Sequence, residues 1–501
     1  MSADNSTLTP VGEFRKSLNE LALLLGDNNF KGGGEFSGVT LDSRTVTAGD
    51  LFIALPGVKV HGAKFIGDLV AQGAVAVVTD SEGARLINDR LPVLLVDSPR
   101  FWVGHIASWF YQNPFSSLEV VGITGTNGKT TTASLLDQIW RLDGRASGFI
   151  GTIGINVAGE EYSILHTTPE GTDLQRILAA MREQHIRNVV MEVSSHALSM
   201  RRVSGARFVV VGFTNLTQDH LDFHGDMESY FQAKARLFSS EFADRAIVNV
   251  DDPHGVRLFN QAIIPTKALS RSDPKVDWYY QSFTPKSVGV GYEVAIRGPE
   301  GILIEGSLPL LGLHNLDNAL LAIALAVDSG VDPIAVASYL RKLAAPVGRL
   351  EPVEVGQKFL ALVDYAHTPD AVSRALATAR SLTGGRVIAV LGCGGDRDKS
   401  KRPIMGEVLR KGCDLAIYTS DNPRSEDPLE ILAEMVGSVV DERQVVEPNR
   451  RSAIATAVFA AEPGDCVIVL GKGHERGQEI MGIKYPFDDR IELARAIEEL
   501  S

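Results

Sequence analysis

The stretch Val120-Val121-Gly122-Ile123-Thr124-Gly125-Thr126-Asn127-Gly128-Lys129-Thr130-Thr131-Thr132 decides how the rest of the chain is read. A short apolar run, Val120–Ile123, enters it and the amphipathic pattern Thr131–Leu142 leaves it, so the glycines fall in a strand-to-helix turn. Such a turn lets backbone N–H groups wrap a phosphate while the helix N-terminus adds positive potential. Gly125, Thr126, Asn127, Gly128 and Thr131 then line the phosphates, Lys129 reaches the β- and γ-phosphates, and Thr130 offers a hydroxyl to Mg²⁺. The spacing is not a strict phosphate-loop match, because its first glycine would fall at Ile123. A glycine-rich turn with an exposed lysine is the plain alternative. The coincidence of strand, loop, Lys-Thr pair and helix favours ATP or GTP.

Outward from this loop, apolar runs of strand length recur before polar turns and helical patterns: Val189–Val193, Phe208–Phe213, Ala246–Val250, Phe359–Val363, Val387–Leu391, Leu415–Thr419 and Val467–Leu470. Strands alternating with helices argue for α/β architecture with mainly parallel sheets covered on both faces. Helices are expected over Met227–Phe238 and Asn315–Ser329. At 501 residues the chain exceeds one hydrophobic core. Turn-rich breaks at Asn113–Ser117 and Ala345–Gly348 divide it into 1–115, 116–346 and 347–501.

A net charge of −13 argues against nonspecific binding to nucleic acid or an anionic membrane, while leaving room for a local basic pocket. Cys393, Cys413 and Cys466 lack zinc spacing and fit buried, inert thiols in a reducing compartment. No apolar run is long enough to span a membrane, and Met1–Pro10 lacks the basic start and apolar run of a signal peptide. A cytoplasmic protein is expected. A monomer is the default, although nothing in the charge reads on oligomeric state.

Further motifs follow in order: Glu192-Val193-Ser194-Ser195-His196, Asp219-His220-Leu221-Asp222, Lys234, Gly312-Leu313-His314-Asn315, Gly348-Arg349-Leu350-Glu351 and Asp364-Tyr365-Ala366-His367. Together with the Gly125–Thr130 loop they resemble the Mur ligase and folylpolyglutamate synthetase superfamily over nearly the whole chain. The resemblance implies Mg²⁺ at Thr130, Glu192 and His220, and at Lys234 as a carbamylated lysine. It also implies Asn315 at the adenine, Arg349 at the phosphates and Asp364 at the ribose. Read singly, Asn315 is a helix cap, Arg349 a surface ion pair, Asp364 a turn cap and Lys234 a solvated lysine.

The resemblance narrows within the family. Val39–Arg44 resembles the UDP-binding unit of tripeptide-forming members, with Leu41 and Ser43 at uridine-contact positions; a turn hydroxyl is the plain reading of Ser43. Thr167 and Thr168, with Ser194 and Arg202, match positions that hold UDP-N-acetylmuramoyl-L-alanyl-D-glutamate. His166 and Met200 depart from the Asn and Gln of other members. Asp421-Asn422-Pro423-Arg424 resembles the signature of members adding meso-diaminopimelate rather than L-lysine, and Arg397, Gly471 and Glu475 match further contacts. The two amino acids differ by a distal carboxylate, which Arg424 can bind in bidentate fashion.

The implied fold is three α/β domains: an N-terminal UDP-binding domain, a central phosphate-loop ATPase with a parallel sheet, and a C-terminal Rossmann-like domain for the amino acid. The implied reaction passes through an acyl phosphate, across domain interfaces that close on the substrates. An L-lysine-adding ligase and a non-catalytic nucleotide-binding regulator are the rivals.

Overall fold

Leu313–Asp328 is apolar on nearly every face, and a helix of that composition is stable only when surrounded. In the computed structural model, which describes residues 8–28, 30–57, 59–286, 291–437 and 442–500, it packs against the phosphate-loop helix Lys129–Leu142. Both helices share a core cluster with Val121, Ile123 and Val210 of the sheet beneath. The other face is covered by helices that include Gly171–Glu183 and Met227–Ala235, so the central strands are buried on both sides.

That sheet has eleven strands. Its middle is parallel, running Ser147–Gly151, Asn188–Glu192, Glu119–Thr124, Val210–Phe213, Ala246–Asn249, Thr266–Ser270 and into Trp278–Pro285. Antiparallel strands extend this parallel centre at both ends. Gly154–Val157 and Glu160–Tyr162 add on one side, and Tyr292–Arg297 and Leu303–Leu308 on the other. Antiparallel ribbons tolerate one solvated face, which is what an edge requires.

Residues before the loop form a four-stranded parallel sheet, Gly38–Thr40, Asp50–Ile53, Ala76–Thr79 and Val93–Leu95. Its last helix, Pro99–Phe110, packs on Gly171–Glu183. Residues after 350 form six strands in the order Glu351–Pro352, Leu360–Asp364, Cys466–Leu470, Val387–Cys393, Leu415–Ser420 and Gln444–Val446, all parallel except the first. Helices including Pro369–Leu382 and Lys401–Gly412 cover one face, and Arg450–Phe459 and Asp489–Glu498 the other.

Several element bounds shift from expectation. The phosphate-loop helix begins at Lys129, two residues early, because Gly128 in left-handed backbone turns the chain directly into it. Phe208 makes only an isolated bridge to Ala243, so that strand starts at Val210. The Met227 helix tightens into a 3₁₀ turn over Arg236–Phe238. All three cysteines are buried free thiols, and burial pushes each up to about 12. No described helix is long and apolar enough to cross a membrane. Of the N-terminal segment Met1–Pro10, residues 1–7 lie outside the described residues.

Candidate active site

The phosphate loop sits where the central sheet's strand order reverses, between Asn188–Glu192 and Val210–Phe213, the usual place for a ligand in an α/β sheet. Two glycines are required there. A Cβ on Gly125 (φ +148°) would lie 1.9 Å from Thr214 Oγ1, and one on Gly128 (φ +87°) 2.1 Å from Asn318 Oδ1. Thr126 N–H donates to the Asn215 carbonyl at 2.8 Å, and Asn127 N–H to Asn215 Oδ1 at 3.0 Å. Lys129 folds back over the loop, its Nζ donating to the Gly125 and Thr126 carbonyls at 3.0 and 2.9 Å. Burial holds this amine below the usual lysine range, against the pull of Glu192 and Asp219.

Glu192 ends its strand fully buried, and Thr130 Oγ1 donates to its Oε1 at 2.9 Å. Thr152, which the sequence reading did not single out, donates its N–H and hydroxyl to the same carboxylate at 2.8 and 3.2 Å. Lys234 is also buried, not a solvated surface lysine, and donates to the Gly125 carbonyl at 2.8 Å. Burial first, and then Lys129, pushes its amine well below the usual lysine range. The His220 ring meets His196 edge-on at 4.6 Å and lies 3.4 Å from Asp219. Burial holds His220 below the usual imidazole range.

These residues fit Mg²⁺. Among the described residues no three His, Cys, Asp or Glu side chains converge to hold a metal by themselves. Mg²⁺ commonly takes one or two carboxylates and completes its shell with water and substrate phosphates. Thr130 paired with Glu192 beneath a phosphate loop supplies that kind of oxygen set.

A cavity of about 1170 Å³ opens beside the loop, lined by Asn127, Gly128, Thr131, Asn315, Arg349 and Asp364 among others. Asn315 is buried in the first turn of its helix; the N-cap is Gly312, so Asn315 is not the cap, and its Nδ2 donates to the Leu311 carbonyl at 2.9 Å. Arg349 stacks on Tyr365 at 4.5 Å and donates to Thr130 Oγ1 at 3.3 Å, which is more than a surface ion pair. Among the described residues its buried Nε has no hydrogen-bond partner, leaving a cationic donor for an anion. Asp364 accepts from Leu350 N–H at 2.7 Å and Ala366 N–H at 2.8 Å, so it does cap a turn while lining the cavity. Asp370 Oδ2, missed in the sequence, accepts from Asn127 Nδ2 at 3.2 Å and ties the two sheets together over the loop.

The acceptor positions are more committed to the fold than expected. Thr168 is fully buried; its hydroxyl donates to the Glu192 carbonyl at 2.9 Å and accepts from Ser194 N–H at 3.0 Å. Thr167 and Thr152 share a hydroxyl contact of 3.1 Å, and Ser194 caps the helix Ser195–Ser199. Arg202 pairs with Glu170 at 2.8 Å, and Arg100 grips the same carboxylate at 2.7 Å. Met200 touches Arg202 through sulfur at 3.7 Å. Leu41 packs on the N-terminal core, and Ser43 sits in the turn after Gly38–Thr40 with its carbonyl accepting from Gln72 at 3.2 Å.

The third group gathers at the carboxyl edge of the six-stranded sheet. Asp421 and Asn422 follow the strand Leu415–Ser420, Pro423 is buried, and Arg424 Nη1 donates to the Gly395 carbonyl at 2.5 Å. Arg397 is exposed on the neighbouring loop. Gly471 (φ +112°) leaves room for Asp421, whose Oδ2 would lie 2.8 Å from a Cβ there. Asn422 Nδ2 donates to Glu475 Oε2 at 2.9 Å. Lys472 belongs to the same glycine-rich turn, and no role for it is visible in the sequence; it is fully buried beneath these groups. Only the three-dimensional convergence reveals it.

The fold and the site define a phosphate-loop α/β protein whose nucleotide cavity is walled by residues of a second sheet. Family models agree in detail: the Mur ligase middle domain matches residues 123–326, the Mur ligase glutamate ligase domain 348–473, and the Mur ligase family catalytic domain 35–111. The chain is 45% identical over 491 residues to a UDP-N-acetylmuramoyl-L-alanyl-D-glutamate--2,6-diaminopimelate ligase of Streptomyces avermitilis, covering 96% of each. The protein of that name from Streptomyces coelicolor is 45% identical over 499 residues, covering 98% of each. A solved structure under the same name superposes with a TM-score of 0.66 at 32% identity, covering 93% of this chain and 95% of the other. The chain belongs to the Mur ligase family.

Proposed function

We propose that the chain joins meso-2,6-diaminopimelate to the D-glutamate γ-carboxylate of UDP-N-acetylmuramoyl-L-alanyl-D-glutamate, using ATP, in cytoplasmic synthesis of a peptidoglycan precursor. The observation that carries this is the cluster of Asp421, Asn422 and Glu475 around Lys472, with Arg424 on the loop that follows, at one edge of the sheet whose Asp364 lines the nucleotide cavity. The names of the two relatives at 45% identity support the same substrates.

A carboxylate is a poor acyl donor, so ATP first transfers its γ-phosphoryl group to the acceptor, giving an acyl phosphate and ADP. The amino group at the L-centre of the amino acid attacks, and phosphate leaves as the amide forms. Lys129, the N–H groups that open the helix Lys129–Leu142 and Arg349 hold the phosphates in line and stabilise charge as it develops. Thr130, Glu192 and His220 would hold Mg²⁺, with Lys234 as its carbamate; a neutral amine is the form that takes up CO₂, which suits the buried Lys234. Bound Mg²⁺ would neutralise charge between ATP and the anionic acceptor. Asn315 and Asp364 position the base and ribose. Leu41, Ser43, Thr167, Thr168, Ser194 and Arg202 take the acceptor, and Arg397 and Gly471 complete the amino-acid site. The units 1–115, 116–346 and 347–501 divide these tasks as UDP, ATP and amino-acid domains.

The test is phosphate release with ATP, Mg²⁺ and the UDP-linked acceptor, with meso-diaminopimelate compared against L-lysine. Strong preference for the first is expected. Equal or lysine-favoured turnover would overturn the specificity, and no turnover with either would overturn the reaction.

A further inference from the structure

We propose that Lys472 is a positioning residue of the amino-acid site, fixing Asn422, Glu475 and Asp421 from below without touching the bound amino acid. This rests on the reading of that sheet edge as the diaminopimelate site.

Lys472 lies two residues past the strand Cys466–Leu470 and is 0% exposed. A buried ammonium is stable only among compensating partners. Its Nζ donates to Asn422 Oδ1 at 3.0 Å and to Glu475 Oε2 at 3.0 Å, and lies 3.7 Å from Asp421 Oδ1. One amine therefore reaches three side chains already assigned to the ligand.

The arrangement has a direction. An amide side chain can flip, presenting either oxygen or nitrogen to a ligand. Here Asn422 Oδ1 is held by Lys472 and by Glu479 N–H at 3.0 Å, while its Nδ2 donates to Glu475 at 2.9 Å. The flipped amide would aim an NH₂ at the ammonium and at a backbone N–H, so one orientation survives. The same positive charge offsets repulsion between the carboxylates of Asp421 and Glu475. A ligand ammonium thus meets the fixed carboxylates of Asp421 and Glu475, and Arg424, whose Nε lies 3.7 Å from Glu479 Oε2, stands on the same edge for the distal carboxylate.

The neutral, similarly sized Lys472→Met variant tests this. KM for meso-diaminopimelate should rise about 10- to 100-fold, the usual consequence of losing a charge-assisted hydrogen bond. KM for ATP and for the UDP-linked acceptor should stay within about twofold. Lys472→Gln keeps a donor for Asn422 without the charge and should lie between wild type and Met; it also serves if Met does not fold. An unchanged KM for diaminopimelate, a parallel rise in all three KM values, or a fall in kcat alone overturns the role of Lys472. Wild-type enzyme without preference for diaminopimelate overturns the site reading itself, before any variant is compared.

Discussion

The guanidinium of Arg450 and the carboxylate of Asp489 form a pair 2.7 Å apart in which neither side chain reaches solvent. Arg450 also donates to the Ser420 carbonyl at 3.2 Å and the Leu470 carbonyl at 2.9 Å. Those carbonyls end the two strands that launch Asp421 and Gly471. The pair therefore anchors the floor of the proposed amino-acid site to the far face of its sheet.

Removing one partner strands a buried charge. Asp489→Ala should lower stability by about 3–5 kcal/mol, because the remaining guanidinium has lost its compensation. Urea denaturation checks this, and a change within experimental error would contradict the anchoring role.

Lys129→Ala should leave the fold intact, since its Nζ only borrows the Gly125 and Thr126 carbonyls of the loop. Phosphate release should fall on the order of 10²–10³-fold, the scale for loss of one preorganised charge donor. Near-normal turnover with an unchanged melting temperature would remove the phosphate loop from the chemistry.

Arg424→Ala should lower kcat/KM for meso-diaminopimelate by roughly 10²–10³-fold while leaving slow L-lysine turnover almost unchanged. The contrast between the two substrates is the measurement. Equal losses would mean that Arg424 supports the loop rather than reading the distal carboxylate.

Asp317 supplies a pH test. Burial, only partly opposed by Arg271 at 3.1 Å and reinforced by Asp251, raises its carboxyl to about 7. Between the unfolded value of 3.8 and about 7 the folded chain holds the extra proton, so this group's contribution to stability is present at low pH and declines as pH rises through that window. Asp317→Asn should flatten that decline in denaturation curves recorded across the range. An unaltered slope would place the titration elsewhere.

Gly128→Ala should destabilise the loop, because its left-handed backbone and the 2.1 Å approach to Asn318 Oδ1 leave no room for a methyl group. A loss of about 1–3 kcal/mol is expected with weaker ADP binding. Calorimetric titration of ADP gives the readout.

What could be read in the sequence was local. Gly125–Thr130 announces itself because strand, glycines, lysine and helix occupy consecutive positions. Asp421–Arg424 stands out only through its resemblance to a family signature, since Asn-Pro read alone is an ordinary turn. The antiparallel strands Tyr292–Arg297 and Leu303–Leu308 were not legible, since short strands with an exposed face carry weak periodicity. The contacts of Lys472 with Asn422, of Asp370 with Asn127, and of Arg100 and Arg202 with Glu170 escaped because the partners lie far along the chain. Thr168 and Ser194 show the converse: their positions were expected, but local sequence gave no sign that their hydroxyls already serve the backbone.

Gly348 joins these regions at one point. It has φ +71°, and a Cβ there would lie 2.2 Å from the His474 backbone nitrogen. The next residue, Arg349, reaches the phosphate loop. The junction is thus keyed, like a joint cut for one partner. A chimaera that grafts the last third of a relative onto this chain must import the 473–474 turn together with the 348–349 segment; exchanging either half alone would pull Arg349 away from the phosphate loop.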